Sequence, residues 1–89
     1  MNPDTKKDAL NRLSIAQGHL EKVRNMLEAD VYCPDVIHQS RSVQAALRKI
    51  DEVILHGHLH SCVLHDIHGT KSEKEKLIGE IIEIFRKRD

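Results

Sequence analysis

The sequence predicts an all-α fold with three helices per chain, and three observations carry that expectation. Apolar residues recur at three- and four-residue intervals through three separate segments. Glycine and proline, the residues that punctuate helices, number only four and two in 89 positions. The two strongest break signals, Asp30 through Pro34 and His68-Gly69-Thr70, fall between those segments.

Helix 1 is expected from about Thr5 to Ala29, where Leu10, Leu13, Leu20, Val23 and Leu27 recur with polar residues between them. The next helix resumes at Pro34, a residue tolerated in a first helical turn. There Val36, Val43, Leu47, Ile50 and Ile54 form a heptad stripe, with Ser40 filling its one gap. No proline interrupts it up to Cys62 and beyond, and Gly57 weakens it by only about 1 kcal/mol relative to Ala. Helix 2 should therefore be long. In helix 3, Ser72 fits an N-cap with Glu75 three residues on, a capping box. Leu77, Ile78, Ile81, Ile82 and Phe85 give it an apolar face. Its end, Arg86-Lys87-Arg88, reads as a solvated tail matched to the helix dipole.

A chain of 89 residues is expected to form one domain, here 1–89. It has one Tyr, one Phe and no Trp, so the residues that usually fill a small core are nearly missing. A short chain also buries a small fraction of its surface, so self-association is expected. The heptad stripe of helix 2 offers a surface on which two copies can pack antiparallel. Fourteen basic residues balance fourteen acidic ones, so overall charge points to neither nucleic acid nor membrane. Only local patches stand out: Arg41, Arg48 and Lys49 in an acid-free stretch from His38 to Ile50, and Lys6, Lys7 and Arg12 near the start.

No stretch resembles a secretory signal or a membrane span, and no glycine loop or nucleophile elbow suggests an enzyme. The two cysteines, Cys33 and Cys62, are expected to be free thiols in a reducing cytoplasm.

The segment HGHLHSC, residues 56 to 62, concentrates the chemistry. His58 and Cys62 are four apart, which places both on one helical face as two ligands for one metal ion. His56 and His60 point about 200° away from His58 in either direction. Cys33 is the natural third ligand, but a continuous helix separates it from Cys62 by roughly 40 Å. The three residues can share an ion only between two chains, with the start of one helix 2 facing the end of the other. Twofold symmetry would then give two equivalent sites. Two thiolates and an imidazole form a soft set suited to Cu(I), although Zn(II) with a further ligand is also compatible.

YCPDVIHQSRSVQAAL, followed by HGHLHSCV and preceded by ALNRL…GHL…ML, resembles the copper-sensitive operon repressors of bacteria. The resemblance runs from about Ala9 to the end of helix 2 and is looser in helix 3. It implies an all-helical dimer that pairs into a homotetramer, binds operator DNA when metal-free, and releases it on binding Cu(I). It implies Cys33, His58 and Cys62 as the inter-subunit metal ligands, with Tyr32 and a helix 3 glutamate behind them. Glu80 is the best match for that glutamate and Glu83 the fallback. It further implies DNA contact through Arg12 and Lys49, with Lys6 and Lys7 as plausible phosphate contacts. His19 in GHL is expected to be structural.

Other branches of the family fit less well. Nickel and cobalt sensors use more histidines, often one near the N-terminus, and none precedes His19 here. Formaldehyde sensors lack the second cysteine, and persulfide sensors lack the histidine. The alternatives are a nickel or reactive-sulfur sensor on the same scaffold, or a copper buffer or chaperone without DNA binding.

Overall fold

A computed structural model of the chain describes residues 1–66 and 68–87, with the side chains of 62–66 excepted. It consists of three α-helices: α1 Pro3–Glu28, α2 Cys33–Asp66 and α3 Lys71–Lys87. No strand occurs among the described residues, so the all-α expectation holds.

α1 begins two residues earlier than the apolar pattern suggests, because its cap is polar. The Asn2 side chain accepts a hydrogen bond from the Asp4 N–H at 2.7 Å. Pro3 opens the helix, where its missing N–H costs nothing. At the other end Asp30 adopts φ 53°. The Val31 N–H donates to the Met26 carbonyl and the Asp30 N–H to the Leu27 carbonyl, at 3.0 and 3.2 Å. This pair of bonds closes a helix on a left-handed residue, normally Gly or Asn. Val31 and Met26 pack on the nearby apolar cluster, which fixes the turn.

The turn folds α1 back along α2 as an antiparallel pair. Val23 packs with Val36 and Val43, while Ala9 and Ala16 pack with Ile50. Both buried rows step by seven residues, the spacing of a coiled-coil seam. Gln39 Nε2 of α2 lies 3.5 Å from His19 Nδ1 on α1, a polar contact across the helix pair.

Two expectations about these faces need correction. The leucines that reveal helix 1 in the sequence are not what it buries: Leu10, Leu20 and Leu27 are 52, 56 and 61 % exposed. The inner seam takes Ala9, Ala16 and Val23, whose small or branched side chains let the helices approach closely. The leucines at 13, 20 and 27 flank that row by roughly 40°. Likewise the stripe of helix 2 assigned to a second copy is largely used within the chain. Val36, Val43 and Ile50 are buried against α1, and only Leu47, 43 % exposed, stays well open.

α3 is capped two residues earlier than expected. The Glu73 N–H donates to Thr70 Oγ1 at 3.1 Å, so the N-cap is Thr70 rather than Ser72. The first intrahelical bond runs from the Lys74 N–H to the Thr70 carbonyl, which makes Thr70 the entry point. Gly69, at φ +141°, supplies the turn before it. Ile78 and Ile82 pack on Leu55 and Leu59 of α2. Arg86 then donates from Nε and Nη2 to Glu52 of α2. The hydrogen-bonded guanidinium holds the Glu52 carboxyl below the usual carboxylate range. That tie therefore acts at neutral pH and is lost only as pH falls through the lowered value.

Gly57 is not a tolerated weakness but a contact point. A Cβ there would lie 2.6 Å from Thr5 Cγ2 and closer still to its Oγ1, so the first turns of α1 cross α2 at this glycine. Gly57→Ala should lower the thermal midpoint, with overpacking of about 1–3 kcal/mol outweighing the gain in helix propensity of about 1 kcal/mol. Adding Thr5→Ala should recover most of the loss. A single Gly57→Ala variant that melts higher than the parent would show that the helices do not meet there.

Candidate metal centre

α2 runs without a break for 34 residues, with Cys33 at its first position and His58 and Cys62 near its end. At about 1.5 Å per residue, the two ends are separated by roughly 40 Å. The whole molecule measures 56 Å along its longest axis. One chain therefore cannot bring Cys33 to His58, because α2 is one unbroken helix. Among the described residues, no three His, Cys, Asp or Glu side chains stand as a ligand set.

Cys33 is an exposed free thiol on the first turn of α2. Tyr32 beside it is 73 % exposed. Its carbonyl accepts from the Asp35 and Val36 N–H groups at 3.0 and 3.3 Å, which starts the helix and fixes where Cys33 stands. At the far end His58 is exposed and borders a hollow with Asn2, Ile54 and Ser61. Cys62 belongs to α2, and its side chain lies outside the described residues. Two sulfur donors and an exposed imidazole remain a fitting set for a soft ion.

His56 and His60 part from His58 as their spacing requires. Their rings stack with centroids 4.4 Å apart and planes tilted by 43°. His60 Nε2 lies 3.5 Å from Glu75 Oε2 of α3. Sequence reasoning missed this contact because it spent Glu75 on a capping box. Thr70 does the capping, and Glu75 faces α2.

Glu80 is exposed. It is two residues from both Ile78 and Ile82, so it projects about 200° away from the face that α3 lays on α2. Within one chain it stands on the outer side. Glu83, the fallback, pairs with Arg86 of its own helix at 3.3 Å.

The basic residues are spread over two sides of the α1–α2 pair. Arg12 is half-buried, and its Nε contacts Asp8 Oδ1 at 3.0 Å. Asp8 borders a cleft with Lys49, Glu52 and Arg86 at the junction of the three helices. Lys6 borders a different, apolar hollow with Leu10, Leu13 and Ile54. Lys7 is exposed. No helix is long and apolar enough to cross a membrane among the described residues.

The model of the metal-sensitive transcriptional repressor family matches residues 5–87. A copper-sensing transcriptional repressor CsoR of Mycobacterium ulcerans is 49 % identical over 59 residues, covering 66 % of this chain and 50 % of its own. That of Mycobacterium tuberculosis H37Rv is 42 % identical over 73 residues, 79 % of this chain and 61 % of the relative. That of Bacillus subtilis is 34 % identical over 82 residues, 92 % of this chain and 79 % of the relative. The chain thus spans only 50 to 61 % of the length of these mycobacterial relatives. No solved structure matches it significantly.

Proposed function

The chain belongs to the metal-sensitive transcriptional repressor family, and from that premise we propose that it is a Cu(I)-responsive repressor. On this reading it binds operator DNA when metal-free and releases it when copper binds. The observation that carries the proposal is the unbroken α2. It holds two thiols and a histidine too far apart for one chain, so the site is complete only when two chains pair antiparallel. Cys33 of one subunit would then meet His58 and Cys62 of its partner, with Tyr32 and Glu80 behind the ligands. Glu80, on the outer face of α3, suits a role reached from another subunit.

The surface for pairing is the exposed row Leu10, Leu13, Leu20 and Leu27 of α1, together with Ile37 and Leu47 of α2. Exposed leucines in such number on a chain this small ask for cover. A dimer, itself pairing into a tetramer, would supply it.

Copper supplies a soft acceptor that draws two helices of different subunits together. DNA and copper are coupled if each prefers a different arrangement of the assembly, and the coupling is reciprocal. A typical coupling of about 1–3 kcal/mol changes DNA affinity by about 5- to 150-fold. The test is titration of operator DNA, taken from upstream of the chain's own gene, with and without Cu(I). Affinity should fall within that range on adding copper. Copper binding with unchanged DNA affinity would favour a buffer, and release by Ni(II) or persulfide but not Cu(I) would favour another sensor branch.

The DNA surface has its own test. Arg12→Ala and Lys49→Ala, with Lys6 and Lys7 as further candidates, should weaken operator binding and leave copper binding intact. Removing one phosphate-binding side chain should flatten the salt dependence by about one unit of slope. Parental DNA binding by both variants would move the DNA surface elsewhere.

A further inference from the structure

HGHLHSC holds two histidines that the copper ligand set does not use. His56 and His60 are one turn apart on α2, and the His-x-x-x-His spacing on a helix presents two imidazoles to one ion. Their ring centroids are 4.4 Å apart. Metal–nitrogen bonds of about 2.0–2.1 Å hold the ring centres of two imidazoles on one ion roughly 4.5–5 Å apart. The pair therefore stands almost at chelating distance. A third donor comes from another element: Glu75 Oε2 of α3 lies 3.5 Å from His60 Nε2. The three groups are not yet gathered around one point, since the carboxylate rests on the outer histidine alone. All three are open to solvent at least in part, and closing the set asks for rotation of the Glu75 side chain toward His56.

We propose that His56, His60 and Glu75 form a second metal site, separate from the thiolates, for a borderline divalent ion such as Zn(II). Neutral imidazoles and a carboxylate suit that class, whereas Cu(I) favours the thiolates. The two sites point to opposite sides of α2, because His56 and His60 lie about 200° from His58. This site needs only one chain. It clips α3 onto α2 beside the Ile78–Leu59 contact, at the end of α3 opposite the Glu52–Arg86 tie.

The second site does not depend on the copper reading, and its test removes the thiolates. The full chain carrying Cys33→Ser and Cys62→Ser is titrated with Co(II), whose visible spectrum reports its ligands, and Zn(II) is then used to displace it. One Co(II) per chain should bind, with no thiolate-to-metal charge transfer. Loss of a partner that merely orients a ligand costs about 10- to 100-fold in affinity. His60→Ala or Glu75→Ala on this background should cost at least as much, while His38→Ala should cost nothing. Co(II) binding that vanishes with the cysteines, or that survives His56→Ala/His60→Ala, would overturn the proposal.

Discussion

Replacing Cys33 with alanine is expected to lower Cu(I) affinity by more than about 100-fold, with no loss of fold. Partners that only orient metal ligands cost about 10- to 100-fold when removed, so loss of a thiolate ligand should exceed that range. The fold should not notice. Cys33 is exposed, and the Tyr32 carbonyl, not the thiol, accepts the bonds that start α2. Surface changes of this kind alter stability by about 0.5 kcal/mol or less. Cys62→Ala should weaken copper binding similarly. His56→Ala and His60→Ala should leave it near the parental value, since they face away from His58. Anaerobic competition titration against a Cu(I) chelator reads the affinities, and thermal melts read the fold. Parental Cu(I) affinity in Cys33→Ala would remove the first residue of α2 from the site.

The second large effect should come from a residue that is no ligand at all. Leu20→Glu alters an exposed position on α1, 56 % open in the single chain, so the monomer fold should survive. In a twofold assembly the same change occurs on both sides of the interface. Each leucine removed from a buried surface costs about 1.5–3 kcal/mol. Two together cost about 3–6 kcal/mol, which weakens self-association by roughly 10²- to 10⁴-fold. Sedimentation should show a helical monomer where the parent is a dimer or tetramer. Cu(I) affinity should fall with it, although every ligand is present. A Leu20→Glu protein that remains oligomeric would place the interface elsewhere.

These expectations depend on features that were unequally legible in the sequence. The continuity of α2 was readable because no proline and a single glycine lie between Val36 and Cys62. The distance between the cysteines follows from that continuity by arithmetic. What the leucines do was not readable. An apolar residue at helical spacing marks a buried face, but not whether the chain's own helix or another subunit covers it. Here alanines and valines fill the inner seam, and a sequence scan ranks Leu20 above Ala16. The role of Gly57 was hidden for a related reason, because Thr5, which crosses it, is fifty-two positions away. The register of the α3 cap failed because Thr70–Glu73 and Ser72–Glu75 both match the capping pattern, and only the turn at Gly69 decides between them. That choice also decided which glutamate could reach a histidine of α2.

Whether copper is held between two chains is tested most directly by mixing subunits that are each defective in a different half of the site. Cys33→Ala chains keep His58 and Cys62, whereas His58→Ala/Cys62→Ala chains keep Cys33. Neither should bind Cu(I) tightly alone. After co-refolding in equal amounts, about half of the dimers are mixed, and each mixed dimer contains one intact site. Tight Cu(I) binding should then return to about one quarter of an equivalent per chain. No restoration in a mixture shown to exchange subunits would mean that the three residues do not meet across the interface.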